Sequence, residues 1–250
     1  ILFTERKTIV AITALSWGIG YLGQPHILSR FMAIRSEEAL NNAKLIGVGW
    51  TITVLFFSVA VGLIGAQAVE IGQDSEKVFF VLISRYLPSF LAGICLAAIL
   101  AAVMSTADSQ LLTAASAFTE NLIPLLHKGR LSETQQLFIG KVTVLAMCFA
   151  ATSVSLQPDA KVFDLVARAW AGFGSTLAPV LLIALYQKNA SGLGALFGLI
   201  TGAAIVLIWP FLPHSGFGIY EILPGFLSSI LVNYVANNFI AAEESPIGWH

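Results

Sequence analysis

Hydroxyl side chains recur at helical spacing in the apolar stretch ILAAVMSTADSQLLTAASAFTENL, residues 99–122. Ala102, Ser105 and Thr106 are spaced i, i+3 and i+4, so they share one face of a helix. Further hydroxyls continue this face: Ser109, Thr113 and Ser116. Two hydroxyl oxygens beside a carbonyl form the hard oxygen cluster that calcium and magnesium prefer, and Na⁺ needs only such neutral ligands. The alternatives are hydroxyls bonded back to carbonyls of their own helix and small residues that favour helix packing.

Asp108 lies in the same apolar stretch, three residues after Ser105. An ionisable group inside a membrane span costs about 2.5–3.5 kcal/mol on insertion scales, so it is expected to have a partner or water. We expect Asp108 to tune or add a cation site. Proton binding and a place in a watery vestibule remain open alternatives.

A second stretch, SWGIGYLGQPHI over residues 16–27, concentrates glycine and proline. Both weaken a helix, and broken helices at the middle of a membrane build the substrate sites of secondary transporters. Trp17 and Tyr21 are four residues apart, so a helical segment presents both rings together and predicts the wall of an apolar substrate site. The alternative is an interfacial aromatic pair beside a proline kink. In a third stretch, RAWAGFGSTLAPVLL, Trp170 and Phe173 are candidates to close a cavity from one side.

The composition is that of a membrane protein with several spans. Hydrophobic residues make up 57% of the 250 residues and charged residues 11%, with a mean hydropathy of +0.83, whereas soluble domains carry about 25% charged residues. The net charge of −1 implies no bulk attraction to nucleic acid. Cys95 and Cys148 lie in apolar runs, which predicts buried thiols rather than a disulfide framework.

Seven apolar stretches predict an all-α polytopic bundle, because backbone amides in lipid need partners within their own segment. The stretches are residues 8–27, 45–69, 90–118, 137–156, 162–186, 192–212 and 219–239. The alternation typical of membrane strands is absent from the sequence, which argues against a barrel. In GALFGLITG, Gly194, Gly198 and Gly202 line one face, which predicts close helix packing.

Four motifs together resemble the sodium:solute symporter family, most closely its proline-transporting members. They are WGIGYLGQPHILSRFMA, ILAAVMST with QLLTAASAFTE, AWAGFG, and GIYEILPGF, in the family's order and at similar intervals. The resemblance covers residues 8–239 and implies a partial LeuT-type inverted-repeat fold. Residues 1–250 would then form a single transmembrane transporter domain, a fragment that lacks the N-terminal first repeat.

The resemblance also implies roles for individual residues. Ala102 would offer its carbonyl oxygen, and Ser105 and Thr106 their hydroxyls, to a sodium ion shared with a helix outside this chain. Trp17, Tyr21 and Pro25 match positions implicated in proline binding or its gating.

The implied function is symport of L-proline with Na⁺ as the coupling ion, by alternating access, in a multi-pass protein of the cytoplasmic (inner) membrane. One alternative is another solute, such as pantothenate, a sugar or a carboxylate. Another is the transporter-like sensor module of a signalling protein. An intramembrane enzyme is disfavoured, since the sequence contains neither H-E-x-x-H nor G-x-S-x-G.

Overall fold

The computed structural model describes residues 2–68, 75–126, 132–156, 161–212 and 218–240, and these residues are helical apart from short connections. The helices are α1 Leu2–Leu22, α2 Pro25–Met32, α3 Glu37–Ala68, α4 Val78–Tyr86, α5 Ser89–Ala117, α6 Ile123–Leu126, α7 Glu133–Ser155, α8 Val162–Tyr186, α9 Gly192–Ile208 and α10 Ile222–Ile240. A π-helical turn, Phe118–Leu122, joins α5 to α6. The prediction of an all-α polytopic bundle is therefore confirmed.

Five helical segments are long and apolar enough to cross a membrane. They are Glu37–Gln67, Ser89–Leu122, Glu133–Ser155, Val162–Tyr186 and Gly192–Phe211. A shorter apolar helix, Thr8–Leu22, lies in the predicted stretch 8–27, and α10 ends one residue beyond the predicted stretch 219–239. Residue 69 of the predicted stretch 45–69 is outside the described residues.

Side-chain caps begin several of these helices. Ser132 accepts a hydrogen bond from the Gln135 backbone N–H, and the Gln135 side chain accepts one from the Ser132 N–H. This reciprocal pair satisfies two backbone donors at the start of α7. Ser191 accepts from the Gly194 N–H at the start of α9, and Ser36 accepts from the Ala39 N–H at the start of α3.

The chain divides into two compact units. Residues 1–29 and 158–250 form the first unit, in which α1, α8, α9 and α10 pack together. Residues 30–157 form the second, in which α5 packs against α4 and α7. The single transporter domain over residues 1–250 stays a prediction.

Apart from Ile222, the interior of the first unit is made mainly of small and polar residues. Gly194, Gly198 and Gly202 are buried on one face of α9, so the predicted packing face is confirmed. A Cβ at Gly202 would lie 2.1 Å from the Ser175 carbonyl oxygen of α8. The backbones approach closely there because no side chain separates them, as expected where helices gain no hydrophobic driving force from lipid.

The expectation of buried thiols is wrong. Cys95 and Cys148 are both free, but Cys95 is half-buried and Cys148 is exposed on the chain. Each lies in a helix of spanning length, where apolar character does not require a protein neighbour because lipid is as apolar as a core.

Candidate functional site

The predicted helix break lies between Leu22 and Pro25. Helix α1 runs through Gly18 and Gly20 and ends at Leu22, and α2 begins at Pro25. In an uninterrupted helix the Tyr21 carbonyl would accept from the amide four residues later, but that residue is proline and has no N–H. Tyr21 O instead accepts from the Gln24 N–H at 3.4 Å. The break is therefore confirmed, and its cause is Pro25 rather than the earlier glycines.

An aromatic cluster surrounds the last two turns of α1. The Trp17 ring stacks on Phe163, Trp170 and Tyr220, with ring centroids 5.7–5.9 Å apart and planes within 18° of parallel. Tyr21 meets Trp170 edge-on, with centroids 4.8 Å apart. Tyr21 is 51% exposed, so its ring and hydroxyl remain open to a ligand. The cluster joins the predicted substrate residues Trp17 and Tyr21 to α8 and to the segment before α10.

Trp170 also holds the backbone of α1. Its indole Nε1 donates a 2.9 Å hydrogen bond to the Trp17 carbonyl oxygen. The ring covers Gly20, where an added Cβ would lie 2.0 Å from Trp170 Cδ1 and Nε1. At Gly23 an added Cβ would lie 2.1 Å from the Phe173 carbonyl oxygen. Two glycines thus let α8 approach the broken end of α1. Trp170 positions the backbone of α1 there, a role that the sequence alone did not indicate.

The hydroxyl face of α5 lies in the second unit. Ser105 Oγ and Thr106 Oγ1 both donate to the Ala102 carbonyl oxygen, at 3.0 and 3.1 Å. The three oxygens predicted to bind a cation therefore lie together. The pattern continues along the helix, since Ser109 Oγ donates to Thr106 O and Thr113 Oγ1 donates to Ser109 O.

This arrangement matches the alternative of hydroxyls bonded within their own helix, and it also suits a cation. Oxygen–oxygen separations of 3.0 and 3.1 Å are compatible with ion–oxygen distances of about 2.3–2.6 Å, as in calcium sites. To bind an ion, both hydroxyls must turn their hydrogens away from Ala102 and offer lone pairs. Ala102, Ser105 and Thr106 are exposed on this chain, so further ligands have room to approach.

Asp108 is exposed on α5. It lies about 60° around the helix from Ser105 but about 160° from Thr106, by the 3.6-residue period. Among the described residues the structure gives its carboxylate no hydrogen bond or ion pair. Asp108 therefore lies on the Ser105 side of the three-oxygen cluster, and its part in a cation site stays a prediction. No group of three or more His, Cys, Asp or Glu side chains that could hold a metal occurs in the described ranges.

A buried amide cluster in the first unit was not predicted. Asn237 Oδ1 accepts from the Ser191 N–H and Oγ–H, at 3.0 and 2.8 Å. Its Nδ2 donates to Gln187 Oε1 at 3.1 Å and to Asn233 Oδ1 at 3.0 Å. The available signal was Asn233 and Asn237 four residues apart in an apolar stretch, which places both amides on one helix face. The cluster ties α10 to both ends of the α8–α9 connection.

Comparison with known proteins identifies one family. The model of the sodium:solute symporter family matches residues 4–202. The chain is 39% identical over 250 residues to the sodium/proline symporter of Staphylococcus aureus (strain bovine RF122 / ET3-1), covering 94% of this chain and 49% of that protein. It is 38% identical over 251 residues to sodium/proline symporter 2 of Staphylococcus saprophyticus subsp. saprophyticus, covering 95% of this chain and 49% of that protein. The chain thus spans about half the length of these curated relatives, and no solved structure matches it.

Proposed function

Because the chain belongs to the sodium:solute symporter family, we propose that it is part of a transporter that couples the movement of L-proline to that of Na⁺. Five helices of spanning length and the family match make it part of a multi-pass membrane protein. We place that protein in the cytoplasmic membrane, with residues 1–250 as a single transporter domain that lacks the first repeat of the fold. The observation that carries the proposal is the convergence of Ser105 Oγ and Thr106 Oγ1 on the Ala102 carbonyl oxygen.

In this proposal sodium binds the three oxygens on α5. A carbonyl and two hydroxyls replace part of the water around a monovalent ion. Because these ligands are neutral, they do not bind the ion too tightly for release. The remaining ligands come from outside this chain, and an ion bound to both parts biases their relative position. Asp108 adds negative charge beside the cluster and strengthens cation binding there.

Proline binds beside Trp17, Tyr21 and Pro25. The pyrrolidine ring packs on aromatic faces, and its ammonium is attracted to their π-systems. The break between α1 and α2 interrupts the regular i to i+4 bonding of the helix beside these rings, and broken helices build the substrate sites of secondary transporters. Names of the relatives support proline over pantothenate, sugars or carboxylates.

Alternating access follows if sodium stabilises the outward-open state to which proline then binds. Thermodynamic linkage requires that sodium and proline strengthen each other's binding by the same factor. The names of the relatives favour transport over the function of a sensor module.

The test is uptake of labelled proline by the complete protein in proteoliposomes. An inward sodium gradient is compared with a potassium gradient of equal strength, both at zero membrane potential. We expect proline to be taken up against its own concentration gradient only when the sodium gradient is present. Equal uptake with both cations, by protein shown to be folded, would overturn sodium coupling. Sodium-driven uptake of another solute but not of proline would overturn only the choice of solute.

A further inference from the structure

A groove of about 640 Å³ lies on the second unit, between the C-terminal end of α5 and the N-terminal half of α7. We propose that it binds a phospholipid whose headgroup carries both a phosphate and a primary ammonium, such as phosphatidylethanolamine. The site is separate from the hydroxyl cluster at Ala102 and from the aromatic cluster. Its occupancy does not depend on what the protein transports.

The first argument is a buried hydroxyl that borders this groove. Thr119 is 7% exposed, and its Oγ1 has no hydrogen-bond partner among the described residues. Ser105, Thr106 and Thr113 on the same helix all bond back to carbonyls, but Thr119 lies in the π-helical turn. A buried hydroxyl without a partner is costly, so a partner from outside the described chain is expected.

The second argument is the polarity of the groove along the membrane normal. Glu120 lies near the end of the span Ser89–Leu122, whereas Leu112 lies about 12 Å further in, at 1.5 Å per residue. On α7, Leu145 lies about 18 Å from the first residue of the helix. Half of the hydrocarbon layer is about 15 Å thick. The groove therefore runs from near the end of the span toward the middle of the bilayer, which is the course of an acyl chain.

The third argument is the pair of opposite charges in the lining. Glu120 and Lys141 both border the groove, and both are exposed. Lys141 lies deeper, but a lysine side chain extends its ammonium toward the headgroups. A phosphate pairs with Lys141 and accepts from Thr119 Oγ1 once the Thr119 side chain turns from its buried position toward the groove, while a primary ammonium donates to Glu120. An anionic lipid without an ammonium leaves Glu120 unpaired, and the quaternary ammonium of phosphatidylcholine has no N–H to donate.

The experiment uses the complete protein, purified in a mild detergent and examined by native mass spectrometry. Phosphatidylethanolamine is titrated against phosphatidylcholine and phosphatidylglycerol of matched acyl chains. We expect selective retention of phosphatidylethanolamine. Lys141→Gln and Glu120→Gln should each weaken its retention about tenfold, the size of one charge-assisted hydrogen bond. The matched controls are Lys44→Gln and Glu133→Gln, which change exposed charges that do not line the groove.

Thr119→Val separates a lipid site from an empty groove. Valine has nearly the same shape but no hydroxyl. If a lipid satisfies Thr119, the variant retains less phosphatidylethanolamine and is no more heat-stable than the parent protein. If the hydroxyl is unpaired, the variant retains lipid unchanged and melts at a higher temperature, which overturns the proposal. The proposal is also overturned if the parent protein does not prefer phosphatidylethanolamine. That result is expected if another segment of the protein fills the groove.

Discussion

The indole Nε1 of Trp170 donates a hydrogen bond of 2.9 Å to the carbonyl oxygen of Trp17, across 153 residues of sequence. The two rings also stack, with centroids 5.9 Å apart. One residue of α8 therefore fixes both the backbone and the ring of Trp17, four residues before Tyr21. Since we place proline beside Trp17 and Tyr21, Trp170 becomes a positioning residue for substrate binding.

Trp170→Phe keeps an aromatic ring but removes the donor to Trp17. A hydrogen bond of this kind contributes about 1 kcal/mol, so we expect the KM for proline at saturating sodium to rise about fivefold, with a smaller change in kcat. Initial rates of proline uptake measure both constants. Trp50→Phe is the matched control, because Trp50 is 71% exposed on α3. Equal effects of the two substitutions would contradict a specific role for Trp170.

Gly20→Ala tests the close approach of α8 to α1. The new Cβ would lie 2.0 Å from two ring atoms of Trp170, so the indole or the helix must move. We expect a loss of about 1–3 kcal/mol in the free energy of unfolding, as for overpacked cores. Gly18→Ala is the control, since nothing lies within 4 Å of its new Cβ and alanine favours the helix. Thermal unfolding of the two variants in detergent should therefore move in opposite directions, and a Gly20→Ala protein as stable as the parent would be inconsistent with the packing described.

Asn237→Ala tests the buried amide cluster. The substitution leaves the Gln187 side chain and both Ser191 donors without their partner in a part-buried setting. We expect a cost of about 2–4 kcal/mol in the free energy of unfolding, from one cavity and the unpaired polar groups. Asn238→Ala removes only an exposed 3.2 Å bond from Gln187 Nε2 and should cost less than about 0.5 kcal/mol. Similar unfolding curves for the two neighbours would show that the cluster does not stabilise the unit.

Features of the fold and the candidate site could be predicted from the sequence where they depend on residues close together in the chain. The broken helix at Pro25 and the hydroxyl face at Ser105 and Thr106 were both predictable, because proline chemistry and helical periodicity act within a few residues. The glycine face of α9 was predictable for the same reason. These features required no knowledge of which helices are neighbours.

Contacts between distant segments could not be predicted from spacing. Trp170 was identified as a candidate cavity wall, but its hydrogen bond to Trp17 depends on how α8 crosses α1. Tyr220 and Phe163 join the aromatic cluster only through that packing. The unpartnered hydroxyl of Thr119 depends on a local π-helical turn, which helical periodicity does not indicate.

Asp108→Asn tests whether the carboxylate tunes the cation site. The substitution keeps the size of the side chain and removes its charge. At an effective dielectric constant of about 20, a unit charge several ångströms away contributes about 1–3 kcal/mol, so we expect the sodium concentration for half-maximal uptake to rise about tenfold. Measuring that concentration between pH 5 and pH 8 also reports competition by protons. Unchanged sodium affinity and pH dependence would remove Asp108 from the site.

The most direct test of the account is the sodium affinity of Thr106→Ala compared with that of Thr113→Ala. Both threonines lie on the same face of α5 and donate to carbonyls of their own helix, but only Thr106 shares its acceptor, the Ala102 carbonyl oxygen, with Ser105. The sodium concentration for half-maximal proline uptake should rise at least about tenfold in Thr106→Ala and stay near the parent value in Thr113→Ala. The KM for proline at saturating sodium should change little in either variant. Equal sodium affinities in the two variants, or a Thr106→Ala protein that loses proline affinity as much as sodium affinity, would contradict the assignment of the sodium site.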